Sequence, residues 1–165
     1  MTSKNILTGK KILVVDDEPD VLATLIELLD MCKLDTAASF EEGKRLLEDQ
    51  NYDLAILDIM GVRGFDLLKI ANHQKIPALM LTANALSEES LKKSAQDGAA
   101  YFAPKDKMAD IELFVADVLT ALKMKKSTWE KWFDRLSKFY DGRFHGTGWR
   151  EQEKKFWASK IKTKF

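Results

Sequence analysis

A chain of 165 residues, 45% of them hydrophobic, is long enough for one well-packed domain with an appendage and too short for two full-sized domains, and its apolar content excludes global disorder. Its net charge is formally zero but divided: residues 1–123 hold 14 Lys and Arg against 21 Asp and Glu, residues 124–165 hold 12 against 5, so an acidic body precedes a basic tail. The single cysteine, Cys32, excludes an intramolecular disulfide or a multi-cysteine zinc site.

No apolar run approaches the ~18–20 residues of a membrane span, and the polar stretch from Met1 to Lys11 does not read as a signal peptide. A cytoplasmic location without membrane insertion is the expectation. Three segments are expected: an N-terminal segment over 1–9, a domain over 10–123 and an extension over 124–165.

In chain order, Lys11–Val15 is the first apolar run and ends on Asp16-Asp17. Val21, Leu22, Leu25, Ile26, Leu28 and Leu29 then recur at helical spacing. A second run, Leu34–Ala38, precedes a helical pattern through Gly43, Leu46 and Leu47. The third run, Leu54–Leu57, reads as a strand buried on both faces, yet Asp58 closes it. Leu67, Leu68 and Ile70 mark the next helix. Ala78–Leu81 ends on Thr82, and Ser87 is placed to cap a helix opening Ser87-Glu88-Glu89-Ser90. Ala100–Ala103 is the fifth run, with Lys105 just beyond it, and a fifth helix is predicted over 108–123. Continuous apolar runs alternating with helices predict an α/β fold with a parallel sheet and right-handed crossovers.

Such sheets place ligands at the carboxyl ends of their strands. In a doubly wound order Asp16, Asp17, Asp58, Thr82 and Lys105 converge on one edge. Clustered carboxylates repel one another, and a hard divalent cation relieves the repulsion. A carboxylate can also attack phosphorus and form an aspartyl phosphate. That transfer needs mainly positioning and charge neutralisation, which the Lys105 ammonium and the Thr82 hydroxyl can supply. Taken singly, each residue has a plainer role: an acidic cap at Asp16-Asp17, a turn cap at Asp58, a strand-end threonine, a solvated lysine. His73 and His145 read as surface residues, and Cys32 as a small buried hydrophobe.

"ILVVDDEPD" (12–20), "LDIM" (57–60), "LTA" (81–83) and "GAAYFAPK" (98–105) resemble the receiver domain of bacterial two-component response regulators over residues 10–123. The resemblance implies a flavodoxin-like, doubly wound five-stranded sheet in order 2-1-3-4-5. It implies that Asp58 is the phosphoacceptor, supplied by a sensor histidine kinase. Mg2+ would be ligated by Asp17, Asp58 and the Met60 backbone carbonyl, with Asp16 acting through water. Thr82 and Lys105 would bind the phosphoryl group, and Phe102 would be the switch aromatic, with Tyr101 facing the other side of the strand. Such a protein catalyses its own phosphoryl transfer and dephosphorylation rather than turning over a substrate. A receiver that no longer accepts phosphate and serves as an interaction module is the alternative. The chain departs from the family pattern twice. The loop after Asp58 lacks proline and is about two residues shorter, and Lys105 is followed by Asp106 where the family has a proline.

The extension carries all four tryptophans. Residues 127–142 place Trp129, Trp132, Phe133, Leu136, Phe139 and Tyr140 on one helical face, with Ser127 or Thr128 as cap and Asp141-Gly142 as the end. Residues 149–161 predict a second helix with Trp149, Phe156, Trp157 and Ile161 near one face. Packing on the domain or self-association, as in a homodimer, ranks first, a downstream protein partner second and nucleic acid last.

Overall fold

The computed structural model describes residues 3–83 and 87–162. The apolar runs form five strands, β1 (Lys11–Val15), β2 (Lys33–Ala37), β3 (Leu54–Asp58), β4 (Ala78–Thr82) and β5 (Tyr101–Pro104). They pair in parallel in the order β2-β1-β3-β4-β5, the doubly wound order expected. β3 and β4 are buried at every position, which is why they read as continuous apolar runs. β2 and β5 sit at the two edges and are shifted by one residue from the predicted runs, while β3 and β4 each run one residue further, to Asp58 and Thr82.

Helices α1 (Ser3–Leu7), α2 (Pro19–Leu28), α3 (Phe40–Asp49), α4 (Gly64–His73), α5 (Glu88–Gln96) and α6 (Ile111–Lys123) cover the sheet. Local chemistry sets their starts. Ser39 and Ser87 accept hydrogen bonds from the N–H groups of Glu42 and Ser90 at 3.2 and 3.0 Å, each satisfying an orphan donor of the first turn. Helix α6 begins three residues later than predicted because Lys105–Asp110 forms a 3-10 turn first. Leu7, on α1, is fully buried, and its carbonyl accepts a hydrogen bond from the Cys32 thiol at 3.4 Å. Cys32 is half-buried, and burial pushes its thiol up to about 11.

The aromatic stripe packs on the body. Helix α7 (Thr128–Arg143) runs beside β5, whose outer edge would otherwise present unpaired backbone groups. Two indoles reach that edge. Trp129 Nε1 donates to the Ala99 carbonyl at 2.9 Å, and Trp132 Nε1 to the Phe102 carbonyl at 2.7 Å. Arg135 grips the Asp117 carboxylate of α6 in bidentate fashion at 2.6 and 3.0 Å, and the Tyr101 hydroxyl donates to the same carboxylate at 2.7 Å. Asp141-Gly142 does not end α7. It runs to Arg143 and stops where His145 and Gly146 take positive φ of 59° and 121°, with the Gly146 N–H donating to the Asp141 carbonyl at 2.7 Å, a C-terminal closure of the helix. Ser127 holds the N-cap position, but its hydroxyl donates to the Lys160 carbonyl at 2.6 Å. The second predicted helix is divided into α8 (Gly148–Glu151) and α9 (Lys154–Lys162). Trp149 and Trp157 from these helices stack into the cluster around Trp132 and Phe133.

Candidate functional site

Parallel pairing sends the carboxyl ends of β1, β3, β4 and β5 to one sheet edge. After Val15 the chain turns through Asp16-Asp17-Glu18 and enters α2 at Pro19, which fits a first helical position. Asp16 is buried. Its N–H donates to the Ala37 carbonyl at 3.0 Å, and its Oδ1 accepts from the Glu18 N–H at 2.9 Å. Asp58 is the last residue of β3, 5% exposed. Thr82 ends β4 and is equally buried. Pro104 stays extended and delivers Lys105 to the same edge. The Lys105 Nζ lies 2.9 Å from Asp16 Oδ2, 3.1 Å from Glu18 Oε1 and 3.3 Å from Asp58 Oδ1. Asp17, Glu18, Asp58, Met60, Thr82 and Lys105 all line one cleft of about 370 Å³.

Charge dominates this cleft: four carboxylates face one ammonium. Burial raises the Asp16 carboxyl above the usual range; the Lys105 ammonium and the Glu18 N–H offset this in part, while neighbouring Asp58 adds to it. Its Oδ2 meets the Lys105 ammonium at 2.9 Å as a nearly buried ion pair. Lys105 is itself nearly buried. Burial alone would weaken its charge, but Asp16, Asp58 and Glu18 outweigh it and hold the ammonium above its ordinary range.

The donor set suits a hard divalent cation. Asp16, Asp17 and Glu18 offer oxygens that all lie within 4.8 Å of one another, and oxygen donors are what Mg2+ takes. The shortened loop completes the cradle. The Gly61 N–H donates to Asp58 Oδ2 at 3.0 Å. A Cβ added at Gly61 would overlap Asp17 Oδ1 and stand 2.7 Å from Asp58 Oδ2, so these two oxygens flank one small space beside a residue without a side chain. The loop closes by a hydrogen bond from the Gly64 N–H to the Ile59 carbonyl at 2.9 Å, with Arg63 at φ 56°.

Asp16, Asp17, Asp58, Thr82 and Lys105 thus come together, and Met60, an exposed residue, lines the same cleft. Phe102 does not line it. It is fully buried on β5 with its ring 5.7 Å from that of Tyr140 on α7. Tyr101 faces α6 instead, its ring 5.7 Å from that of Phe114, as strand alternation requires. Sequence reasoning missed Glu18 as a partner of Lys105, although it is the third acid of an acidic run. It also missed Gly61 and the Asp117–Arg135 pair, for which no local signal exists.

A parallel sheet in this order, with acids and one lysine gathered at its carboxyl edge, is the arrangement that the receiver resemblance implies. The family model for the response regulator receiver domain matches residues 12–116, and the chain belongs to that family. The heme response regulator HssR of Staphylococcus aureus (strain Newman) is 42% identical over 83 residues, covering 47% of this chain and 37% of that protein. The matched region thus spans little more than a third of that relative. Among solved structures, a CheY-like receiver domain protein of Methanospirillum hungatei JF-1 is 25% identical with a TM-score of 0.57, covering 68% of this chain and 98% of that one. NtrX of Brucella abortus, solved in complex with ADP, is 29% identical with a TM-score of 0.62, covering 72% of this chain and 29% of that one. Receiver domains generally use Mg2+ at an acidic site. Among the described residues no helix is long and apolar enough to cross a membrane.

Proposed function

We propose that the chain accepts a phosphoryl group on Asp58 from the phosphohistidine of a sensor histidine kinase in the cytoplasm. One observation carries this reading: a nearly buried carboxylate closes β3 with one oxygen 3.3 Å from the Lys105 ammonium and the other accepting the Gly61 N–H at 3.0 Å. An Asp58 carboxylate oxygen attacks phosphorus, the P–N bond breaks, and its electron pair returns to the imidazole. Lys105 and Thr82 bind the phosphoryl oxygens, with Lys105 released from its present ion pairs to do so. Asp17, Asp58 and the Met60 carbonyl hold Mg2+, with Asp16 acting through water. When bound, the ion neutralises charge on the transferring group.

The receiver occupies residues 10–123 after an N-terminal segment over 1–9, and residues 124–165 form an extension that reads its state. Phosphorylation shifts a pre-existing equilibrium by as much as the two states differ in phosphate affinity. Phe102 is the switch aromatic. Its ring touches Tyr140, its carbonyl holds Trp132, and Asp106, next to Lys105, pairs with Arg143 of α7. Lys105 therefore stands one residue from the Asp106 attachment of the tail and three from the Phe102 attachment.

Intact mass after incubation with Mg2+ and a small phosphoryl donor tests the reading. One added phosphoryl group in the wild type and none in Asp58→Asn is the expected result. No gain in either, while another receiver reacts under the same conditions, favours a phosphorylation-independent interaction module. Unchanged tryptophan emission and protease sensitivity at full phosphorylation would sink the role given to the tail.

A further inference from the structure

The geometry points to Gly61 as the residue that keeps the cation position open: the space a side chain would fill there is the space the ion uses. This rests on the Mg2+ site proposed above and adds a residue to it. Gly61 follows Asp58 by three positions in the shortened loop and does two jobs. Its N–H donates to Asp58 Oδ2 at 3.0 Å, orienting that oxygen. Its missing Cβ would overlap Asp17 Oδ1 and lie 2.7 Å from Asp58 Oδ2. A single methyl group therefore competes with a cation for the same two oxygens. Gly61 is exposed, so the space is open to an arriving ion.

Backbone conformation does not explain the glycine. Positive φ among the glycines is confined, within the described residues, to Gly9, Gly98 and Gly146, so an alanine is not strained at Gly61. Nor does packing against fixed atoms, since both overlaps are with carboxylate side chains. Asp17 is exposed and can swing into solvent. An alanine here is accepted by the fold and rejected by the metal site. Gly61 is thus a positioning residue acting through Asp17 and Asp58.

Isothermal titration of MgCl2 into the full chain tests this, with wild type, Gly61→Ala, Asp17→Ala and the double variant compared, and thermal midpoints measured in chelator. The wild type binds Mg2+, and Gly61→Ala loses affinity by about 10- to 100-fold, the scale on which residues that orient metal ligands act. Its midpoint in chelator matches the wild type. The double variant is weaker than Asp17→Ala by less than the loss that Gly61→Ala causes in the wild type, because the two changes share Asp17 while the methyl still crowds Asp58 Oδ2. An unchanged Mg2+ affinity in Gly61→Ala, additive losses in the double variant, or a fold that collapses without metal each overturn the inference while leaving the site itself standing. A wild type that takes up no Mg2+ overturns the site and the inference together.

Discussion

Gly61 lies in the loop after β3 and Gly64 opens α4, and different neighbours make each a glycine. A Cβ at Gly64 would overlap the Asp58 carbonyl oxygen and stand 2.7 Å from the Ile59 Cα. Those atoms are backbone and cannot turn aside as Asp17 can. Gly64→Ala is therefore expected to destabilise the fold by about 1–3 kcal/mol, the range for forced overpacking. A denaturant midpoint that falls with an unchanged slope checks it. Asp16 has the opposite expectation. Burial raises its carboxyl above the unfolded value, so the ionised group costs stability at neutral pH, and that cost is relieved as pH falls through the raised value. Asp16→Asn removes the cost while Lys105 keeps Glu18 and Asp58. Its thermal midpoint in metal-free buffer should rise by about 2–4 °C, the shift that goes with about 1 kcal/mol in a domain of this size, and its dependence on acid pH should flatten.

Among the elements, α7 decides how the body ends. β5 is an edge strand, and α7 covers it by hydrogen bonding to its carbonyls rather than by extending the sheet. Trp132 is fully buried, stacks on Tyr140 with ring centroids 5.3 Å apart, and holds the Phe102 carbonyl. Trp132→Phe keeps much of the ring and deletes the donor, leaving a buried carbonyl unpaired. A loss of about 1–3 kcal/mol in chemical denaturation is expected, and a loss below about 0.5 kcal/mol would mean that water or a shifted side chain satisfies the carbonyl. The charge division along the chain acquires a local meaning here. Arg135 and Arg143 of the basic tail meet Asp117 and Asp106 of the acidic body, and Lys92 of the body meets Glu153 of the tail. The partly exposed pairs contribute little singly; the bidentate grip on nearly buried Asp117 is the strong one.

At the scale of the whole molecule, body and tail share one packed core, in which Trp129, Trp132 and Tyr140 join Phe102 and Leu119. All four tryptophans lie in the tail and all five strands in the body. Thermal unfolding followed by tryptophan emission and by far-ultraviolet dichroism should therefore give coincident transitions. A tail that melts first would show the packing to be weaker than its burial suggests. Mg2+ should raise stability by linkage, by about 2.7 kcal/mol at a hundredfold excess over Kd, and chelator should reverse it fully.

The amino-acid order alone determined the strand-and-helix alternation and the polar residues at strand ends. A parallel strand buried on both faces announces itself by unbroken apolar character, and parallel pairing sends all its carboxyl ends to one edge. The sequence also marked both departures from the family pattern, at the loop after Asp58 and at Asp106. Only the tertiary structure decided what those departures do. Gly61 is a cradle because Asp17, 44 positions earlier in the chain, reaches over it. The tail docks because two indoles meet carbonyls each 30 residues away. Periodicity reports which face of an element is apolar. It does not report which partner covers that face, since that depends on distances between residues remote in the chain, and only the folded backbone sets them.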